Sequence, residues 1–199
     1  MSELSLARRI AAALVSRPPV YRLVQRLAGQ ARVAAQLRSS LPRGADAAAT
    51  LDVGSAEGGF SARLAIDPVF VDIDARPLLA MRRSRPRARA AAANASALPF
   101  PDRAFDVSLC VAVSHHLEDG ELDGVLAELR RVTRSHLVFL DALRNDGRAL
   151  SRLLWRFDRG PHPRTKAELE AALGRKFRLG APEEFTVYHQ YVLWVASPL

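Results

Sequence analysis

The residues with the clearest chemical potential lie in one stretch, where an aspartate precedes a group of glycines. Asp52 stands two residues before Gly54, and Gly58 and Gly59 follow shortly after. Glycines in a turn between a strand and a helix let a ligand approach the backbone, but a carboxylate ahead of them opposes a bound phosphate. This order favours a ligand with a cationic amino group.

A second carboxylate follows at a spacing that suits a sugar. Asp72 comes eighteen residues after Gly54, at the end of another apolar run. A carboxylate at the end of a strand can accept hydrogen bonds from both hydroxyls of a ribose. We therefore expect a nucleoside-like ligand that also has an amino group.

These residues need strands that end close together, and the hydrophobic pattern supplies them. Short apolar runs typical of strands cover 49–53, 69–74, 105–113 and 137–140, with helical periodicity between them. Strands that alternate with helices predict an α/β fold with parallel βαβ units and a doubly wound sheet. No helix separates the last two runs, 177–179 and 186–196, so these strands are predicted to be antiparallel.

Four stretches of the chain combine these features in a recognisable order. They are Leu51–Gly59, Val71–Asp74, Asn94–Val107 and Val111–Leu117. Together they resemble the motifs of class I S-adenosylmethionine-dependent methyltransferases of the small-molecule type, over about residues 48–141. The resemblance implies a three-layer, Rossmann-like fold with a seven-stranded, mostly parallel sheet and an antiparallel C-terminal hairpin.

The resemblance also implies a reaction and a cofactor. The cofactor would be S-adenosylmethionine, the product S-adenosylhomocysteine, and the acceptor a small molecule methylated on oxygen or nitrogen rather than carbon. The cofactor-binding residues carried over from the family's motifs are Asp52, Gly54, Ser55, Ala56, Gly58, Asp72, Ile73, Asn94, Ala95, Cys110 and Val111.

Each of these residues has an implied partner on the cofactor. The glycine turn would wrap the methionine part, with Asp52 near its amino group, and Asp72 would hold the ribose. Ile73 would pack on the adenine, and the segment starting at Asn94 would bind the adenine edge. Cys110 and Val111 would line the region of the methionine and the sulfonium.

Two positions depart from the family's usual residues. Ala56 stands where glycine is usual, and its methyl group lies where the backbone approaches the ligand. Asn94 stands where aspartate is usual; it keeps a carbonyl acceptor for the adenine amine but has no charge. These departures leave open a catalytically inactive, cofactor-binding partner protein as an alternative.

The candidate catalytic residues are two adjacent histidines. His115 and His116 follow the predicted fourth strand, at the sheet edge where open α/β folds bind ligands. One of them could act as a general base near neutral pH, or the pair could only shape the pocket or cap the next helix. We expect no metal here, because adjacent histidines point in different directions.

Three further residues are candidate acceptor contacts. His162 and Arg164 lie after the fifth strand, in a segment inserted at about 144–166, and Tyr21 lies on the second of two predicted helices within residues 4–41. The alternatives are ordinary loop residues and a packed aromatic side chain. We predict one domain over 1–199, with a helical lid at 1–45 and an α/β core at 46–199.

Composition limits the partners. The net charge is +8, but only two of the 29 basic residues are lysines, and the one dense group is the arginine cluster Arg82, Arg83, Arg85, Arg87 and Arg89. We expect a solvated basic face, so a nucleic-acid partner is not favoured, and an RNA or protein methyltransferase is the alternative.

The single cysteine and the length of the apolar runs bear on the setting of the protein. One cysteine excludes an internal disulfide, which favours a reducing compartment and a cytoplasmic location. No apolar run approaches the length of a membrane span. We expect a monomer or a homodimer.

Overall fold

The computed structural model describes residues 29–46, 48–144, 160–187 and 189–199. The predicted acceptor contact Tyr21, most of the predicted N-terminal lid and much of the predicted insertion at 144–166 lie outside these residues. The described part of the lid contains one helix.

Short strands alternate with helices through the first half of the chain. The elements are α1 (Gln30–Ser39), β1 (Thr50–Val53), α2 (Ser61–Leu64), β2 (Val69–Asp72), α3 (Ala75–Ser84) and β3 (Ala90–Ala92). All four residues of β1 are buried, as expected for a central strand of a parallel sheet with both faces covered.

The second half continues the alternation and then changes to consecutive strands. The elements are β4 (Phe105–Val111), a 3-10 turn (Ser114–His116), α4 (Asp119–Val132), β5 (Thr133–Leu143), α5 (Lys166–Gly174), β6 (Phe177–Leu179), β7 (Glu183–Thr186) and β8 (Gln190–Pro198). β5 begins four residues before the predicted run, because α4 leads directly into it and Thr133 already pairs with Phe105 of β4.

The strands form one sheet in the order β3-β2-β1-β4-β5-β8-β6, in which β7 also pairs with β8. The first five strands are parallel, and β8 runs antiparallel to β5. β6 and β7 lie one after the other along the same edge of β8, at Ala196 and Leu193 respectively. The predicted Rossmann-like fold with antiparallel C-terminal strands is confirmed. The sheet of the described residues has eight strands rather than the predicted seven, because β7 adds a third strand to the predicted C-terminal hairpin.

Helices cover both faces of the sheet and give the three layers. On one face, α4 buries Leu122, Val125, Leu126, Leu129 and Val132, at the three- and four-residue spacing of an amphipathic helix. On the other face, Val33 and Leu37 of α1 pack in a cluster with Leu109 and Leu140 of the central strands. Within the described residues, no helix is long and apolar enough to span a bilayer.

Candidate functional site

The turn after β1 adopts a backbone that glycine favours. Gly54 has φ +68° and Gly58 has φ +67°. A Cβ at Gly54 would lie 2.5 Å from Cγ2 of Val113, and one at Gly58 would lie 2.7 Å from a ring carbon of Phe70. Both glycines are therefore required by backbone conformation and by close packing.

Ala56 occupies the same left-handed region although it is not glycine. Its φ is +47°, a conformation that costs an L-residue about 1 kcal/mol or more. The Ala56 N–H donates to Oδ2 of Asp72 at 2.8 Å, and the Ser55 N–H donates to the Val71 carbonyl at 3.1 Å. These two bonds hold the turn against the end of β2.

Asp72 therefore organises the loop as well as facing the sheet edge. Its Oδ1 accepts from the Asp74 N–H at 2.9 Å, and each carboxylate oxygen retains capacity for a second hydrogen bond. The next side chain, Ile73, is 76% exposed, which is unusual for a large apolar residue. An acceptor pair beside an exposed apolar surface fits a ribose with an attached base.

Asp52 is the buried carboxyl group of the site. It is 5% exposed and accepts a hydrogen bond from Ser61 Oγ. Burial raises the pKa of Asp52 from its ordinary 3.8 to about 7; the Ser61 hydroxyl opposes this rise and the charge of Asp72 adds to it. A cation bound beside Asp52 would favour its charged form.

The segment after β3 brings Asn94 to the same edge. The Ala93 N–H donates to the backbone carbonyl of Asp72 at 3.0 Å. The Oδ1 atom of Asn94 accepts from both the N–H and the hydroxyl of Ser96, each at 2.9 Å. The carbonyl expected to accept from adenine is already used within the chain, so the predicted contacts of Asn94 and Ala95 stay predictions.

The end of β4 contributes packing rather than exposed side chains. Cys110 is 1% exposed, and burial raises the pKa of its thiol well above the ordinary value, so it is a neutral apolar group. Val111 is also buried, and a cofactor contact by either side chain stays a prediction. Sequence reasoning missed Ala112, which has φ +57° and donates its N–H to the Leu140 carbonyl.

The two histidines have different environments in the 3-10 turn after β4. His115 is buried, and its Nδ1 lies 2.6 Å from Oδ1 of Asp141. His116 is exposed, and the two ring centroids are 4.2 Å apart with the planes tilted by 43°. The structure places both histidines at the predicted edge of the sheet. His115 lies there beside the carboxylate of Asp141, which the sequence did not predict as a site residue.

Asp141 is the functional candidate that sequence reasoning missed. It lies on β5 with no exposed surface and accepts from the Ser114 N–H at 2.8 Å and from the Ser114 hydroxyl. Burial would raise the pKa of Asp141, but His115 and the Ser114 donor outweigh it and hold the pKa below the usual value. The signal in the sequence was an aspartate inside the apolar run 137–143.

Arg164 holds the histidine turn in place. Its buried guanidinium donates to the carbonyls of Ser114 at 2.6 Å and Leu117 at 2.8 Å and forms an ion pair with Asp119 at 2.7 Å. These contacts position the backbone, and the predicted contact of Arg164 with an acceptor stays a prediction.

His162 lies above the same turn. The backbone N–H of His162 donates to the backbone carbonyl of His115 at 3.0 Å. Together with Arg144, Arg164 and Arg175, His162 lines a surface cleft of about 530 Å³ that opens beside α5. Its contact with an acceptor likewise stays a prediction.

A larger groove lies at the other end of the strands. Its volume is about 770 Å³, and its lining includes Asp67, Phe70, Arg85 and Arg87. Asp67 and Arg87 precede β2 and β3, so this groove opens at the amino ends of these strands. It is separate from the site that Asp52, Asp72 and His115 form, because those residues lie at or just beyond the carboxyl ends of β1, β2 and β4.

Comparison with known proteins shows which family and which structures this chain resembles. Residues 51–140 match the family described as "Methyltransferase domain". No curated protein matches the sequence. A structure from Pyrococcus horikoshii has a TM-score of 0.70 and 21% identity over 92% of this chain and 93% of that chain.

Several similar structures are named methyltransferases, and two of them are compared below. An S-adenosylmethionine-dependent methyltransferase from Methanosarcina mazei has a TM-score of 0.68 and 19% identity over 82% of this chain and 97% of that one. The 1,6-didemethyltoxoflavin-N1-methyltransferase of Burkholderia thailandensis, with bound 1,6-didemethyltoxoflavin and S-adenosylhomocysteine, has a TM-score of 0.69 and 20% identity over 100% of this chain and 91% of that chain. The matched residues include the glycine turn, Asp72 and His115, so residues 51–140 of this chain are similar to a methyltransferase domain.

Proposed function

We propose that this protein transfers a methyl group from S-adenosylmethionine to a small-molecule acceptor, at oxygen or nitrogen. The observation that carries the proposal is that a buried carboxyl, a strand-end carboxylate and an exposed isoleucine meet around one glycine turn. When bound, the cofactor supplies a methyl group that its sulfonium has already activated. The protein then has to bind the cofactor and the acceptor, align them, and remove a proton from the acceptor.

Three groups of the chain match the three parts of the cofactor. Asp52 offers a carboxylate to the cationic amino group, and the cation restores the charge that burial suppresses. Asp72 offers acceptors to the ribose hydroxyls beside its own bonds to the turn. Ile73 offers an exposed apolar surface for the adenine face.

In this proposal the histidine turn, together with His162 and Arg164, offers the acceptor side. His115 and His116 lie next to the end of β4, where a general base could accept the proton that an alcohol or amine loses. Alignment of the reactants can contribute about 7 to 11 kcal/mol, and a base a further 10²- to 10⁴-fold. The name of the Burkholderia enzyme, which specifies N-methylation of a small heterocycle, supports a small acceptor.

A transfer assay tests the proposal. The protein is incubated with methyl-labelled S-adenosylmethionine and, separately, with small-molecule, RNA and protein fractions of a cell extract. We expect label in the small-molecule fraction, followed by mass spectrometry of the product. Label confined to RNA or protein would instead support the alternative class of acceptor.

A matched pair of variants shows whether cofactor binding depends on this site. Replacing Asp72 with alanine removes a charged acceptor, so the affinity for S-adenosylhomocysteine should fall roughly 10- to 150-fold by calorimetry. Asp74→Ala removes an exposed carboxylate that caps α3, and the affinity should stay the same. Equal affinity of wild-type protein and Asp72→Ala would contradict the assignment.

A protein that binds the cofactor without turning it over is the second candidate. It is favoured by the strained Ala56 and by Asn94, whose oxygen bonds to Ser96. Normal binding of S-adenosylhomocysteine without label in any fraction would support this function. We further propose a cytoplasmic location and a single domain that acts as a monomer or homodimer.

A further inference from the structure

Five hydrogen-bond donors converge on the carboxylate of Asp141. They are the N–H groups of Ser114, His115 and Ala142, the Ser114 hydroxyl, and the His115 ring at Nδ1. The side chain has no exposed surface, and its pKa lies below the usual value. Asp141 is therefore ionised at neutral pH, and an ionised carboxylate only accepts hydrogen bonds.

This fixes the proton on one nitrogen of the neutral His115 ring. Oδ1 of Asp141 lies 2.6 Å from Nδ1 and has no proton to give. Nδ1 must therefore be the donor, and the lone pair of a neutral imidazole then lies on Nε2. The ionised carboxylate of Asp141 therefore determines the tautomer of the neutral His115 ring.

The surrounding backbone holds the same ring in place. A Cβ at Gly160 would lie 2.1 Å from Cδ2 of His115, so the described segment that begins at Gly160 packs directly against the imidazole. The His162 N–H and the Arg164 guanidinium bind the carbonyls of His115 and Ser114, which anchors the turn from the same segment. The ring has little freedom to rotate away from Asp141.

We propose that Asp141 is the positioning residue of this enzyme, which fixes His115 with Nδ1 protonated so that Nε2 takes the acceptor's proton. The inference rests on the proposed function. The acceptor's O–H or N–H bond breaks, its proton moves to Nε2, and the electron pair left behind forms the bond to the methyl carbon. The bond between the methyl carbon and sulfur breaks, and its electron pair stays on sulfur.

The same contact stabilises the product of proton transfer. Protonation of Nε2 creates an imidazolium in a buried place, where an unpaired charge is costly. The carboxylate of Asp141 is already aligned with this ring, so the new charge is paired as it forms. Asp141 acts through His115 and touches neither reactant.

Nitrogen-15 NMR of the histidine side chains tests the tautomer without an acceptor. The His115 signals are assigned by their absence in His115→Gln. At pH 8 we expect a protonated Nδ1 and an unprotonated Nε2 in the wild type. Asp141→Asn should reverse this pattern, because the amide oxygen faces the Ser114 donors and the amide nitrogen then faces Nδ1. The control Asp123→Asn removes an exposed carboxylate on α4 and should leave the spectrum unchanged.

Two results in the wild type alone would overturn the proposal. One is a neutral ring with the proton on Nε2, and the other is a ring that keeps both protons up to pH 9, which would make His115 a permanent ion-pair partner. Because the wild-type spectrum decides this, the test does not depend on whether Asp141→Asn folds.

Kinetics then separate this inference from the proposed function. With the acceptor that the transfer assay identifies, Asp141→Asn should lower kcat at least 100-fold and remove the rise of kcat with pH. Affinity for S-adenosylhomocysteine should change less than 2-fold. An unchanged kcat and pH profile with normal binding would overturn the positioning role, whereas failed cofactor binding by the wild type would overturn the proposed function.

Discussion

Gly54 and Val113 join the turn after β1 to the turn after β4: a Cβ at Gly54 would lie only 2.5 Å from Cγ2 of Val113. Val113 lies two residues after the central strand β4, and the χ1 angle of a β-branched valine has little freedom to move its Cγ atoms away. The loop that we assign to the cofactor and the loop that bears the histidines are therefore packed as one unit.

Gly54→Ala should damage both stability and binding. The methyl group meets Val113, and φ of +68° disfavours alanine, so we expect a loss of about 2 to 4 kcal/mol. Thermal melting should shift down by roughly 5–15 °C, and S-adenosylhomocysteine should bind at least 10-fold more weakly. Gly120→Ala is the control, because nothing lies within 4 Å of its Cβ in α4, and it should melt at the same or a slightly higher temperature. Equal effects of the two substitutions would contradict the packing argument.

Cofactor affinity should depend on pH through Asp52. Its folded-state pKa of about 7 exceeds its ordinary 3.8, so this group favours folding at low pH, and that contribution is lost as pH rises from about 4 to about 7. A cationic amino group binds the ionised form. Binding near pH 6 should therefore release a proton, and affinity should rise up to about pH 7 and then level off.

Calorimetry at pH 6 in two buffers of different ionisation enthalpy measures this proton. Asp52→Asn keeps the shape and cannot ionise, so it should bind more weakly and without the pH dependence. A wild-type affinity that is constant from pH 5 to pH 8 would show that Asp52 does not receive the amino group.

The placement of the two carboxylates could be predicted because it depends on local patterns. Asp52 lies one residue before the end of β1 and Asp72 is the last residue of β2, and parallel strands bring such ends to one edge. The glycine turn also forms despite Ala56, since the surrounding bonds compensate for one unfavourable φ. Pattern and turn chemistry were sufficient for this half of the site.

The histidine half depends on contacts between distant segments. His115 meets Asp141 only because β4 pairs with β5 in the register that places Val111 beside Leu140. Arg164 was expected to face an acceptor, but its direction is set by the carbonyls of the turn below it. Neither contact has a spacing in the sequence that would reveal it.

Asn94→Asp should strengthen cofactor binding. Ser96 uses Oδ1 of Asn94 twice, so the other side-chain atom, an amide nitrogen, cannot accept from the adenine amine. An aspartate keeps one oxygen for Ser96 and offers a second. We expect roughly 2- to 10-fold tighter binding of S-adenosylhomocysteine by calorimetry, the range for one hydrogen bond. Asn94→Ala is the control: it has no side-chain oxygen for Ser96 or for the adenine amine, so it should bind S-adenosylhomocysteine no tighter than the wild type. Weaker binding by Asn94→Asp would show that the adenine lies elsewhere.

The arginine cluster should bind nucleic acid only weakly, because its position and its contacts fit a solvated face. Arg89 donates to the Asp67 backbone carbonyl at 2.7 Å and lies 3.8 Å from its carboxylate, and Arg85 lies over the Phe70 ring at 6.0 Å. The groove between them opens at the amino ends of β2 and β3, away from the carboxyl ends where Asp72 lies.

Fluorescence anisotropy with labelled RNA tests this expectation. Binding that rests on phosphate contacts alone falls steeply with salt, so we expect weak binding at low salt and none at about 0.2 M. A triple variant with glutamine at the exposed Arg82, Arg83 and Arg87 should lose that residual binding, and its affinity for S-adenosylhomocysteine should match the wild type because the cofactor site lies at the opposite edge. Tight binding that persists at 0.2 M salt and selects one RNA structure would make RNA the better acceptor class, and the label in the transfer assay would then be sought in the RNA fraction first.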